Sequence, residues 1–407
     1  IILSDFMDEH QINIRMFRPM ESYQKYGGVL TFARSVGYAV VKKPEGYTTA
    51  KVDQIIQEYE KKSANEQQST AKQYPNIITV VNETFADIKV LGDFKTNEDY
   101  MPYFHSLKKN CVTGYTYASI VGGQTANTEF ELLTGNTLGF LSAGTTAFQL
   151  YIHGQMPSLV SNLKAEGYSG NKAMHPFNPY NYNRPAVYKD FGFTDFIDKF
   201  DFPKNVKRVR EYISDEANVD RIISEYEKNR KKTDQPFYMY NMTIQNHSPY
   251  DKDAANFKQP IKIESSKYDA EANRYLNLIK YSDDSLKQLT SYFEKCKEPT
   301  IILFLGDHQP RLTDEFMNKI TNGQYQTWSS EQMMKRYQVP FVIWANYDIK
   351  EQHIEKTSMN YIQSILTKTA GVKMTGYQRF LNEVRKEVPT ITSQGYWGKN
   401  GKFYQIN

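Results

Sequence analysis

Four short stretches carry side chains suited to metal and anion chemistry. Three of them directly follow apolar runs. Glu83, in Asn82-Glu83-Thr84, follows the run 75–81; His247, in Gln245-Asn246-His247-Ser248, follows the run 237–244; Asp307-His308 follows the run 299–305 and is preceded by Gly306. A carboxylate, an imidazole and an adjacent Asp-His pair at neighbouring strand ends can ligate a divalent metal and hold an anion. Taken singly, a Glu such as Glu83 after a strand is usually a solvated loop residue or helix cap, and His247 before Ser-Pro could cap a turn. The fourth stretch is Gly122-Gly123-Gln124-Thr125-Ala126-Asn127-Thr128-Glu129-Phe130. Its glycines let a backbone turn sharply and approach a ligand closely. A short helix is expected over 128–134, closed by Gly135, with Thr125 at or near its N-terminus, where amide N–H groups favour negative charge. A metal beside the Thr125 hydroxyl would turn it into a nucleophile. Plain N-capping by Thr125 or Asn127 is the competing reading.

Side chains so far apart in sequence meet only if strands deliver them to one edge. Strands are expected at 75–81, 112–120, 237–244, 299–305 and 340–344. Helices are expected at 155–167, 268–297 and 358–369. The alternation implies an α/β fold, a mostly parallel sheet with helices on both faces, whose ligands sit outside the carboxyl ends of the strands. The tail 390–404 reads as a hairpin with a turn at Gly398-Lys399-Asn400-Gly401. Three segments are therefore expected. Residues 1–73 form an N-terminal helical piece and linker, with a polar run at 63–70; 74–375 form the main domain; 376–407 form a β-hairpin extension.

The 407 residues are 40% hydrophobic and 24% charged, which excludes wholesale disorder. A net charge of +4, with the charges interspersed, gives no argument for nucleic acid. No stretch approaches the ~18 apolar residues of a membrane span. Cys111 and Cys296 form no CxxC, and two unpaired thiols are expected in a chain of this size. The start at Ile1-Ile2-Leu3-Ser4 reads as a cut from something longer. The 31 Tyr and 23 Phe suit a core, and suit equally a surface that meets sugars or lipid headgroups.

Together, Asn82-Glu83-Thr84, the 123–130 stretch, Asn246-His247-Ser248-Pro249-Tyr250 and Gly306-Asp307-His308 resemble the lipoteichoic acid synthase family of phosphoglycerol transferases, within the alkaline phosphatase and sulfatase superfamily. The resemblance covers about 75–375, and Lys43-Pro44-Glu45-Gly46-Tyr47 resembles the segment that joins a membrane part to the catalytic domain. It implies that Glu83, Thr125, Asp307 and His308 hold one divalent metal, most often manganese, with zinc or magnesium as alternatives. It implies Thr125 as nucleophile, and His247, Arg184, Tyr182 and His175 around the substrate. The implied donor is phosphatidylglycerol, and the implied acceptor a glycerol-phosphate polymer or a wall polysaccharide. The implied place is the outer face of a Gram-positive cell membrane. Ala126, Tyr182 and Gln309 depart from residues common in the family, which touches acceptor and headgroup specificity.

Three other readings compete with this one. A formylglycine sulfatase needs Cys or Ser followed by x-Pro-x-Arg, and neither cysteine has that context. A two-metal phosphatase or phosphodiesterase needs a further ligand cluster, for which His10, His105, His153 and His353 lack convincing spacing. A wall-polymer-binding domain without activity would be expected to have lost ligands.

Overall fold

The computed structural model describes residues 19–38, 41, 43–64, 74–142, 144–264, 270–323 and 325–406. The start of the chain, most of the polar run at 63–70 and the first residues of the expected 268–297 helix lie outside them. In chain order the strands are β1 (Asn76–Asn82), β2 (Cys111–Tyr117), β3 (Ser169–Met174), β4 (Asp195–Ile197), β5 (Arg208–Val209), β6 (Tyr212–Ile213), β7 (Phe237–Met242), β8 (Thr300–Gly306), β9 (Gln338–Ala345), β10 (Gln352–Ser358), β11 (Thr390–Thr392), β12 (Gly395–Trp397) and β13 (Phe403–Gln405).

Eight of them form one sheet in the order β10-β2-β9-β8-β1-β7-β3-β4. Only β9 runs against its neighbours, β2 and β8. The other seven strands are parallel, as the alternating pattern predicts. β1, β7 and β8 are buried along their whole length, which is why they read as unbroken apolar runs. Successive side chains go to opposite faces. Ile77, Val81, Ile301 and Leu303 join one core cluster; Ile78, Val80, Ile302 and Phe304 join the other. The carboxyl ends of β1, β2, β3, β7 and β8 thus share one edge.

Boundaries shift where local chemistry intervenes. The helix expected at 155–167 is Leu159–Ala165, because Ser158 and Ser161 form a capping box there. The β2 strand stops at Tyr117 rather than 120. The tail holds three antiparallel strands, β11-β12-β13, rather than two, and the predicted turn joins β12 to β13. The expected β-rich extension from 376 begins instead with a helix, Gly376–Glu387, capped by Thr375. The helix Thr49–Ala64 packs against it, with Tyr59 edge-on to Phe380 at 5.5 Å. That part of the N-terminal segment is therefore docked on the C-terminal helix.

Candidate active site

Glu83, at the end of β1, meets Asp307 and His308, at the end of the adjacent β8. Their ligand atoms lie within 4.8 Å of one another and all three residues are buried. Gly306 makes the approach possible, since a Cβ there would sit 1.8 Å from the Phe85 carbonyl oxygen. Asp307 Oδ1 accepts the amides of Thr84 at 2.7 Å and His308 at 2.8 Å. His308 Nδ1 donates to the Gln309 carbonyl at 3.0 Å. Those bonds orient the other two atoms, Asp307 Oδ2 and His308 Nε2, which are buried without a hydrogen-bond partner. They stand 3.2 Å apart, and His308 Nε2 is 3.8 Å from Glu83 Oε1. Buried polar atoms left unpartnered call for an explanation. Two carboxylates and one imidazole converging on a point have the donor chemistry of a divalent-cation site, so the residues fit the metal.

Burial, and then the Asp307 charge, push the Glu83 carboxyl up to about 8. The unfolded value is the ordinary 4.5, so the native state holds a proton that the unfolded state has lost. This contribution to stability is full below about pH 4.5 and is lost as pH rises to about 8. Metal-free protein is therefore expected to melt at lower temperature at pH 8 than at pH 5. Saturating divalent metal, which favours the ionised carboxylate, should flatten that dependence; thermal melts across pH with and without metal measure it.

The Gly-rich loop after β2 is fastened to the same strand end. Gly122 N donates to the Gln309 carbonyl at 2.9 Å, and the Thr128 hydroxyl donates to the Asp307 carbonyl at 2.7 Å. Gly122, Gly123 and Gln124 all have positive φ, with Gln124 left-handed at 65°. The helix starts at Thr125, three residues earlier than expected, and runs to Thr134. Its N-cap is Gln124, whose side chain makes no capping bond. Asn127 donates to the Thr145 carbonyl and accepts the Ala147 amide. Neither Thr125 nor Asn127 caps the helix, so the competing reading of Thr125 falls away. Thr125 instead lines a cleft of about 420 Å³ together with Glu83 and His308.

Arg184, His175, Tyr182 and His247 line that cleft too. Arg184 is buried, with Nε and Nη2 on Glu129 Oε1 at 3.1 and 2.7 Å. Tyr188 and Tyr240 donate to the other Glu129 oxygen. Most of the guanidinium fork is therefore held by Glu129, and Arg184 does not present the whole fork to the cleft. Its face lies 5.0 Å from the Tyr182 ring. Burial, then the Arg184 charge, push the His175 imidazole well below its usual range. His175 is thus neutral; Nδ1 donates to the Met242 carbonyl at 3.0 Å, which makes Nε2 an acceptor. His247 is exposed; Nδ1 donates to the Ser248 carbonyl at 2.7 Å, and the ring stacks on Phe177 at 6.4 Å.

Two supporting residues were not foreseen. Glu129 stood inside the motif, but nothing in sequence ties it to an arginine 55 residues on. Arg210 holds the His247 loop by donating to the carbonyls of Gln245, His247 and Pro249.

Residues 75–372 match the sulfatase family. The chain belongs to that family. Within this sulfatase-family chain both cysteines are free thiols. Cys111 opens β2, at the far end of the strand from the cleft, and burial pushes its thiol up to about 12. A "putative cyclic beta-1,2-glucan modification protein" of Rhizobium meliloti is 31% identical over 395 residues, covering 95% of this chain and 59% of the relative. "Lipoteichoic acid synthase-like YvgJ" of Bacillus subtilis is 27% identical, covering 57% of this chain and 36% of the relative. The chain thus spans less than two thirds of the length of each of these relatives. Among solved structures, Streptococcus pyogenes phosphoglycerol transferase GacH superposes with a TM-score of 0.72 at 20% identity, covering 86% of this chain and 89% of that one. Lipoteichoic acid synthase LtaP of Listeria monocytogenes gives 0.62, also at 20% identity, covering 86% and 93%. Both share the fold.

Proposed function

We propose that this chain is a metal-dependent phosphoglycerol transferase acting on phosphatidylglycerol. The observation that carries the reading is the convergence of Glu83, Asp307 and His308, with two unpartnered buried atoms, in a cleft that Thr125 lines from a helix N-terminus. Glu83, Asp307 and His308, with the Thr125 hydroxyl, would hold one divalent cation, manganese in the first instance. When bound, the cation polarises the phosphoryl group and lowers the pKa of the hydroxyl.

Thr125 Oγ1 gives up its proton to solvent and forms the new bond to phosphorus, and the bond from phosphorus to the diacylglycerol oxygen breaks. His247, protonated on both ring nitrogens, gives its Nε2 proton to that oxygen as it leaves, while Nδ1–H stays on the Ser248 carbonyl; solvent then restores the Nε2 proton. The phosphoglycerol ester on Thr125 then passes to an acceptor hydroxyl. Arg184 neutralises phosphate charge from its Glu129 anchor, with Tyr182 against its face. His175 Nε2 accepts a hydrogen bond from a glycerol hydroxyl. The acceptor is a glycerol-phosphate polymer or a polysaccharide; the names of the Bacillus and Rhizobium relatives support one each. Such substrates place the domain outside the cytoplasmic membrane, held there by a membrane part. Among the described residues no helix is long and apolar enough to cross a membrane. Matches in Rhizobium meliloti and Haemophilus influenzae give no reason to confine the reading to a Gram-positive envelope.

The test is release of labelled diacylglycerol from fluorescent phosphatidylglycerol. The chain should release it with manganese, stop on chelation and resume when metal is restored. Failure with manganese, zinc and magnesium alike, or preferential turnover of a sulfate ester, would sink the reading.

A further inference from the structure

Beside the metal cleft lies a second of about 230 Å³, and Gln124 lines both. The smaller cleft is assembled from four segments far apart in sequence: Ser119 to Asn127 after β2, the turn at Leu138, Tyr337 just before β9, and the β11–β12 turn at Ser393-Gln394. A buried carboxylate and Ser393 tie three of them together. Glu131 Oε1 accepts the Ser119 hydroxyl at 2.7 Å and the Leu138 amide at 2.9 Å. Ser393 donates its hydroxyl to the Ser119 carbonyl at 2.7 Å and its amide to the Ser119 hydroxyl at 3.2 Å. The site is therefore built and stiff rather than a chance gap between loops.

Its lining differs in kind from that of the metal cleft. No Asp, Glu, Lys or Arg side chain lines it among the described residues, whereas Glu83, Arg184 and Arg311 line its neighbour. Apolar surface comes from Ile120, Leu138, Leu141 and the Tyr337 ring. Polar heads free to bind a ligand stand among it. Among the described residues no hydrogen bond engages the Gln124 amide or the Tyr337 hydroxyl. Gln394 gives Nε2 to Ser393 at 3.1 Å, and among the described residues no hydrogen bond engages its oxygen. Gln124 holds a left-handed backbone, a strained conformation for a residue with a side chain, at the point where the two clefts meet.

A sugar ring offers an apolar C–H face and a rim of hydroxyls, which this lining matches. A glycerol-phosphate chain offers a charge per unit, and no cation awaits it there. The cleft is smaller than the ~300 Å³ at which drug-sized sites begin, so it takes the end of a saccharide rather than a long stretch. We propose that the cleft bounded by Gln124, Tyr337 and Gln394 is the acceptor subsite, and that it takes a neutral saccharide. The inference rests on the transfer reaction proposed above. A sugar hydroxyl oxygen forms the new bond to phosphorus and the bond to Thr125 Oγ1 breaks. The sugar's proton returns the Thr125 hydroxyl.

The experiment supplies the 407-residue chain with manganese, fluorescent phosphatidylglycerol and either a neutral glucan oligosaccharide or a glycerol-phosphate oligomer. It reads diacylglycerol release, and the share of phosphoglycerol found on the acceptor rather than on water. The glucan is expected to capture the larger share. Tyr337→Phe, which keeps the ring, and Gln394→Ala should each lower that share about fivefold, the loss of one neutral hydrogen bond. Preference for the glycerol-phosphate oligomer, or an unchanged share in both variants, overturns the inference while leaving the donor reaction standing. No diacylglycerol release by the unaltered chain overturns both.

Discussion

Replacing Thr125 with alanine is expected to cut phosphoglycerol transfer by about 10⁴-fold or more, the scale on which removing a covalent nucleophile acts. The fold should not change. Thr125 makes no cap in its own helix, and the loop before it is fastened through Gly122 and Thr128 rather than through the threonine. Stability should stay within about 1 kcal/mol of the unaltered protein, as for substitutions away from networks and caps. Metal should remain bound through Glu83, Asp307 and His308. Thr125→Ser, which keeps the hydroxyl, should retain activity within about tenfold. Steady-state turnover of phosphatidylglycerol, with metal content measured on the same samples, checks all of this. Alanine activity close to that of the unaltered chain removes Thr125 from the chemistry.

Asp307→Asn is expected to fail differently. The change keeps an oxygen to accept the Thr84 and His308 amides while removing the charge, so the strand end stays folded. Asp307→Ala would be a poorer test, because each buried amide left unpaired costs about 1–3 kcal/mol. Loss of a charged ligand should weaken metal binding by at least about 100-fold, more than loss of an outer partner does. Activity should return in part at high metal concentration, which it should not do for Thr125→Ala. The metal-free variant should also lose part of the decline in melting temperature between pH 5 and 8, because Asp307 is the charge that, after burial, helps raise Glu83. Unchanged metal affinity would remove Asp307 from the site.

What could be read from sequence was what burial writes into it. The strands β1, β7 and β8 lie in the middle of a covered sheet and are apolar along their length, so their ends, and Glu83, His247, Asp307 and His308 with them, stood out. The strand β3 (Ser-Gly-Asn-Lys-Ala-Met) and the edge strand β10 (Gln-His-Ile-Glu-Lys-Thr-Ser) carry no such run and were not foreseen. Edge strands are polar because solvent reaches one side of them. The direction of β9 was equally hidden, since an apolar run looks the same in either orientation. At the site, the Gly-Gly pair announced a close approach, but the left-handed Gln124 that moves the helix start to Thr125 left no mark in residue type. The Glu129–Arg184 anchor was invisible for a simpler reason: pairing across 55 residues is a property of the fold.

The most direct measurement is peptide mapping by mass spectrometry, after the manganese-loaded chain has been incubated with phosphatidylglycerol and quenched in acid. A glycerophosphoryl group on Thr125, dependent on lipid and metal and absent from Thr125→Ala, is the expected result. A lipid-dependent adduct on any other residue would contradict the assignment of Thr125 as nucleophile.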